Sequence, residues 1–484
     1  MPRLRRRSKL RSARSFTGTV GTHGDAQSSG HSTPPLHAVE SPCAAQYDGP
    51  ISTTMSRMTP RSRAHTLPLE VLSMIFILAL ASDEQIVEES LSLWPPKWGN
   101  PLPLCAVSSL WRSVALATPQ LWQRVSLHIP QHISKVWAES KAEALVPWIE
   151  RSGSLPLILF IRYPSMSHQN ESETSDSIVN VLNIYASRWE TLYFRFGSQS
   201  FGRGWNPLAL FRIDKWSSLQ RLYTNVEPHE TIPWAQLTHL MFCNDVSYTQ
   251  VVDIFKRCPK LVWLSLSIHV APEFFDVSAS PIILHDLSSV FFTINNLSAI
   301  IQWISLPSLR EISVSKVSPP ATDLGSLKSL HSFLTRSSCT LDKLDMQGVI
   351  PPLPDDLVQI LAHRSCDFLT SLTICQSWLS HTLLINNEVL RRLTLHHDDS
   401  VCTHLKSLTL NCEALPALPD MVETRIGSHT SRLPEGALEM LHLRIKDFDP
   451  AQKVAEIIER SGMECEIREP HIGTYSVWSV RLHR

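Results

Sequence analysis

Glycine is sparse in this sequence, 16 of 484 residues, and hydrophobic residues make up 43% of it. That combination marks a globular chain, long enough for two or more domains, with disorder confined to one end. Paired cysteines are missing as well. The ten cysteines are scattered without a CxxC, which excludes a disulfide framework or zinc ribbon and predicts free thiols in a reducing compartment. No apolar run is long enough to span a bilayer. The longest, Val71 to Ala81, has 11 residues and a serine inside it. No apolar segment follows the N-terminal arginines, so a secretory signal is not expected. Net charge is −1, which points to neither nucleic acid nor a membrane surface as partner. Catalytic grammar is absent too: no GxxxxGK[ST] loop, no GxGxxG, no GxSxG elbow and no HExxH.

What is present begins with the stretch from Thr66 to Leu127. Thr66-Leu67-Pro68-Leu69-Glu70-Val71-Leu72 runs into Ile75-Phe76. After an insertion the stretch resumes as Val107-Ser108-Ser109-Leu110-Trp111-Arg112, and it closes as Thr118-Pro119-Gln120-Leu121-Trp122. Three short helices are predicted. Pro68 suits a helix start because its fixed φ fits the first turn and its missing N–H costs nothing there. Glu70 lies near the positive end of the helix dipole. Thr118-Pro119 repeats the device as a hydroxyl cap followed by proline. The first helix has almost no polar face, since Val71, Leu72, Met74, Ile75, Phe76, Ile77 and Leu78 surround it. Such a helix must be covered on all sides, and a unit of roughly 60 residues is too small to do so alone. The cover is either another chain or the rest of this one.

The order Leu-Pro-x-Glu-x-Leu-x-x-Ile-Phe, Val-Ser-x-x-Trp-Arg, Thr-Pro-x-Leu-Trp resembles the F-box, particularly that of fungal F-box proteins, over about an eighth of the chain. The resemblance implies a helical module that docks on the Skp-type linker of an SCF (cullin–RING) ubiquitin ligase. It puts Leu67, Pro68, Leu72, Phe76, Val107 and Trp122 on the docking face. One departure is visible: Ala81 to Pro101 is longer than the usual first connection and holds Trp94-Pro95-Pro96-Lys97-Trp98. Exposed aromatics in such a Pro-bracketed loop could anchor a partner or alter the docking face.

Residues 1–62 are expected to be a disordered basic tail. They hold nine Lys and Arg against three Asp and Glu, a net of +6, so the rest of the chain carries −7. They are rich in Ser, Thr, Pro, Gly and His. Arg5-Arg6-Arg7-Ser8-Lys9 reads as a solvated tail, with a nuclear import signal or a transit peptide as the functional alternatives. Residues 63–130 form the F-box-like helical module. Residues 131–176 connect it onward through a helix from Ser134 to Ile149, ended near Gly153, and an apolar strand at Ile158 to Ile161.

From 177 to 484 the chain repeats the phrase L-x-x-L-x-L. It starts at Trp189 with Leu192-Tyr193-Phe194, then Leu219-x-x-Leu222 and Leu237-x-x-Leu240-x-Phe242. Leu261, Leu287, Leu309, Leu341, Leu369, Leu390, Leu405 and Leu438 open the later copies. The mean step is about 25 residues, within the leucine-rich-repeat range. Helical segments such as Val251 to Phe255, Leu330 to Leu334 and Leu357 to Leu361 precede several copies. Helix, turn, strand is one unit that can bury its apolar side only by stacking on a neighbour. The steps vary from 15 to 33 residues, so an irregular, loop-bearing arc is expected, with a helix and two strands after Ala451 as its cap. The fold class is therefore α/β: a short N-terminal helical F-box module, then an irregular leucine-rich-repeat solenoid with a parallel sheet.

His396-His397-Asp398-Asp399 with Cys402 and His404 contains ligand types. Adjacent histidines on a strand end point to opposite faces, however, and a polar loop between units accounts for them better. Cys258, Cys339 and Cys366 recur just ahead of the repeat phrase and read as small buried residues at a corner. No cofactor, metal or catalytic residue is assigned. The expected function is a non-enzymatic substrate-recognition adaptor in the cytoplasm or nucleus. Its partners are a Skp-type linker and an unknown target protein, with no nucleic acid or membrane. The alternative is a leucine-rich scaffold unconnected to a ligase.

Overall fold

The computed structural model describes residues 67–80, 99–130, 133–163, 172–197, 207–226, 230, 232–269, 281–294, 296–315, 326–348, 354–375, 385–395, 399–412, 415–426, 437–445, 448–460, 465–468, 471–472, 475–476 and 478–483. By internal contacts the chain divides after Ser62, and every described residue belongs to the second unit. The basic tail and the Trp94–Trp98 segment lie outside the described residues.

The chain opens with helices α1 (Leu69–Leu80), α2 (Leu102–Val107) and α3 (Ser109–Leu116) and a 3-10 turn at Pro119–Trp122. The sheet then begins, earlier than the repeat phrase announces. Its strands are β1 (Arg124–His128), β2 (Leu157–Tyr163), β3 (Trp189–Phe196), β4 (Arg221–Thr224), β5 (His239–Ser247) and β6 (Trp263–His269). After the two-residue β7 (Ile282–Ile283) come β8 (Ser289–Ile294), the equally short β9 (Ile304–Ser305), β10 (Glu311–Ser315) and β11 (Lys343–Gln347). The last parallel strands are β12 (Ser371–Cys375), β13 (Ser407–Cys412) and β14 (Met440–Ile445). Helix α4 (Lys135–Arg151), capped by Ser134, joins β1 to β2.

Apart from β7 and β9, which pair with each other, these twelve strands hydrogen-bond in strict chain order, every neighbour parallel. At the far end β15 (Cys465–Arg468), a separate hairpin β16 (His471–Ile472) with β17 (Tyr475–Ser476), and β18 (Trp478–His483) follow. Strand β18 lies antiparallel between β14 and β15. The sheet is open, with β1 and β15 as its outer strands. The α/β class with a parallel sheet is thus what the chain adopts. No helix among the described residues is long and apolar enough to cross a membrane.

Register explains the repeat phrase. Leu264, Val290, Ile312, Leu344, Leu372, Leu408 and Leu441 are level across successive strands, and Leu266, Phe292, Val314, Met346, Ile374, Leu410 and Leu443 form a second row two residues on. Residues two apart on a strand share a face. The leucine that opens each phrase closes the turn before the strand. Leu219, Leu237, Leu261, Leu287, Leu309, Leu341, Leu369, Leu405 and Leu438 are fully buried in the same core. Helices such as Tyr248–Arg257 and Ser326–Ser337 cover that face with Val251, Ile254, Phe255, Leu330 and Phe333.

One copy of the phrase is a helix instead. Leu390 and Leu393 lie in Asn387–Leu393, whose start Asn386 caps by accepting from the Val389 N–H at 2.9 Å. L-x-x-L is also the spacing of one helix face, so the motif alone does not choose between turn-and-strand and helix. The strand of that unit is β13.

Arginines tie neighbouring units together. Arg425 is fully buried and donates to Leu393 O, Val401 O and Cys402 O at 2.6 to 3.0 Å. Arg336 does the same toward Ile301 O and Ile304 O, and Arg188 toward Leu155 O. Each satisfies carbonyls of the preceding unit that no ladder reaches.

Candidate functional site

Helix α1 starts where Pro68 predicts, with the Leu72 N–H donating to Pro68 O at 3.0 Å. Within LEVLSMIFILAL only Glu70 and Ser73 are polar. Two apolar stripes result. Leu72 and Phe76, one turn apart and each 1% exposed, face inward with Ile77 and Leu80. Val71, Met74, Ile75 and Leu78 follow i, i+3, i+4, i+7 on another face and are 40, 61, 44 and 71% exposed. Ser73 is accommodated against the unit: its Oγ lies 2.9 Å from Thr118 Oγ1.

That contact corrects an expectation about Thr118. Its hydroxyl donates to Val114 O at 2.7 Å and does not cap the 3-10 turn that Pro119 begins. The cap of α3 is Ser108, in extended backbone, whose Oγ accepts from the Trp111 N–H at 3.1 Å. Val107 therefore ends one helix and does not open the next.

The inward stripe belongs to a small core of Leu72, Phe76, Val114, Ala115, Leu121 and Trp122. Phe76 packs on Trp111 with ring centres 4.9 Å apart. Trp122 donates from Nε1 to Ala115 O at 2.9 Å, meets the edge of Trp148 from α4 at 4.8 Å, and carries the Arg151 guanidinium over its ring at 4.8 Å. Trp148 in turn donates to Arg124 O at 3.2 Å, so the helical unit is joined to the first rung of the sheet. A cavity of about 770 Å³ lies at this seam, lined among others by Leu80, Leu102, Leu121, Trp148 and Ile158.

The six residues read as the docking face divide in two. Leu67, Pro68 and Val107 are exposed. Leu72, Phe76 and Trp122 are core, at 1, 1 and 0% exposure, and could touch a partner only if the unit came apart. The large apolar residues left exposed are Leu67, Leu69, Val71, Met74, Ile75 and Leu78 around α1, with Leu102 and Val107 of α2. The sequence groups buried and exposed positions together, because a helix apolar on every side does not itself show which stripe is covered.

The sheet face opposite the main core carries a feature the repeat phrase conceals. Phe160, Tyr193, Tyr223 and Met241 are level on β2 to β5, and Trp263 joins them to form a second apolar cluster. Phe160 stacks on Tyr193 at 4.0 Å and Tyr193 on Tyr223 at 4.3 Å, nearly coplanar. All five are 1 to 6% exposed. Their signal is an aromatic between two core positions, as in Leu192-Tyr193-Phe194, where a solvent-facing residue is ordinarily polar.

Of the ligand types near 400, Asp399, Cys402 and His404 are described, and each is engaged by a neighbour or buried. His396, His397 and Asp398 lie outside the described residues. Asp399 is paired with Arg391 at 2.7 Å, Cys402 is buried, and His404 stacks on Phe368 at 5.5 Å. No group of three or more His, Cys, Asp and Glu among the described residues is placed to hold a metal. Burial pushes the Cys258 and Cys402 thiols up to about 12, which makes them poor nucleophiles. No protein-family model matches the chain, and no curated protein matches it.

Proposed function

We propose that the chain is an adaptor without chemistry of its own. In this reading α1 to Trp122 is an F-box that docks on the Skp-type linker of a cullin–RING ubiquitin ligase. The stacked units from β1 onward are an irregular leucine-rich-repeat solenoid that holds a target protein. Transfer of ubiquitin would be accelerated by proximity and performed by partners.

The observation that carries the reading is the second apolar stripe of α1. A helix already anchored by Leu72 and Phe76 leaves Val71, Met74, Ile75 and Leu78 facing water. Covering apolar surface is worth about 25 cal/mol per Å², and contiguous exposed patches of this kind mark interaction sites. The in-register rows of Leu, Ile, Val and Met support the solenoid part, because a unit of this kind completes its core only by stacking.

Co-purification of the full chain with a Skp-type linker tests the proposal. The Met74→Glu/Leu78→Glu double substitution is expected to abolish association while leaving the melting temperature close to wild type, since both side chains are exposed. Association that survives this change, or a wild-type chain that never captures the linker although a known F-box protein does, would overturn it.

A further inference from the structure

We infer that a notch beside the short strand β4 takes an acidic side chain of an extended target polypeptide, with Arg195 and Arg162 as the groups that recognise it. The inference rests on the reading of the stacked units as a target-holding surface and specifies what that surface selects.

The notch follows from unequal strand lengths. Strand β4 stops at Thr224, whereas β3 continues to Phe196 and β5 to Ser247. Asn225 substitutes for the missing strand: its Oδ1 accepts from the Phe196 N–H at 2.7 Å and its Nδ2 donates to Phe196 O at 2.6 Å. Asn244 then donates from Nδ2 to Asn225 O. Strand β5 bulges between Phe242 and Asp245 at the same level. The result is a cavity of about 430 Å³ whose lining includes Tyr223, Met241, Arg195, Cys243, Ser265 and Thr293.

The electrostatics have one sign. Among the described residues of that lining Arg195 is the one that is charged, and none is a carboxylate. The neighbouring acid, Asp245, accepts from Ser267 Oγ. On the strands beside the notch, Arg162 is level with Arg195 and His128 with Arg162, all three exposed. Among the described residues neither arginine has a carboxylate partner. Like charges directly opposite on adjacent strands are destabilising, and an incoming anion removes that penalty. The planar guanidinium fork matches a carboxylate in particular.

The geometry favours a polypeptide. From His128 through Arg162 and Arg195 to the notch, the row crosses successive strands about 4.8 Å apart, a span suited to several residues of extended chain. A nucleic acid fits less well. The aromatics beside the row, two residues earlier on the same face, are 1 to 6% exposed and present no open ring face for base stacking.

The test uses the full chain and fluorescence anisotropy with a short labelled Asp/Glu-rich peptide, against Lys-rich and uncharged peptides of equal length. Wild type is expected to prefer the acidic peptide, with affinity falling as salt rises. Arg162→Glu/Arg195→Glu should weaken that binding roughly tenfold or more while capture of the Skp-type linker continues. Arg162→Gln/Arg195→Gln, which conserves the exposed positions without reversing charge, should fall between and serves if the reversal impairs folding. Equal binding of acidic and uncharged peptides, unchanged affinity in both double variants, or displacement of the peptide by poly(U) at lower concentration would overturn the inference. If linker capture persists alongside such a result, the notch assignment fails and the adaptor reading stands. Failure of linker capture alone sinks the adaptor reading.

Discussion

Arg425 shows how much one side chain can decide. Its guanidinium has no water to reach and is held by three backbone carbonyls, and burial lowers its pKa to about 10, still well above neutrality. Removing it leaves those carbonyls without a donor in a buried place. Arg425→Met is expected to cost about 3 kcal/mol in denaturant unfolding, and Arg425→Lys to recover only part of it, because a single ammonium cannot reproduce the planar fork. His239 carries a pH dependence. Burial, together with Arg221 level with it on β4, lowers its pKa from 6.5 to about 4. The unfolded chain therefore binds a proton that the folded chain refuses between those two values. Stability is full above pH 6.5 and is lost as pH falls toward about 4. Urea midpoints measured across that window should fall less steeply for His239→Gln than for wild type.

At the scale of elements, α1 does two jobs with one composition. Its inner stripe holds the helical unit together and its outer stripe is offered outward. The two stripes are expected to respond differently to substitution. Phe76→Ala should destabilise the helical unit by about 3–5 kcal/mol through the cavity it leaves. Leu78→Ala, at a position 71% exposed, should stay within about 0.5 kcal/mol. Thermal unfolding followed by tryptophan fluorescence would separate them, because Trp111 and Trp122 pack against this core. The helix starts at Pro68 and Ser134 were readable because caps and prolines act locally. The strand reading of Leu390 fails because L-x-x-L is a spacing that helix and strand share.

At the scale of the molecule, stacking raises the problem of its ends. The antiparallel β18 and then β15 cover the edge of β14. Removing residues 465–484 would leave β14 as an open parallel edge with Leu441 and Leu443 in the terminal rung. The truncated chain is expected to self-associate in a concentration-dependent way by light scattering, where the full chain does not. A truncated chain that stays monomeric at equal concentration would refute a capping role. The beginning of the stack was harder to see from sequence. Strands β1 and β2 belong to it, yet Val125, Leu127, Leu159 and Ile161 follow helices that obscure the phrase. Their membership depends on pairing with β3.

Local chemistry was enough to set the class of most segments: proline and serine start helices, leucines at turn and strand positions specify most of the strands, and the apolar circumference of α1 demands cover. Those effects act within a few residues, so they can be read along the chain. Which stripe of α1 is left uncovered, which leucine repeat became a helix, and where a short β4 opens a notch beside Arg195 depend on contacts between residues dozens of positions apart. Such contacts have no trace in local spacing, because the free energy that selects them comes from packing once the rungs have stacked.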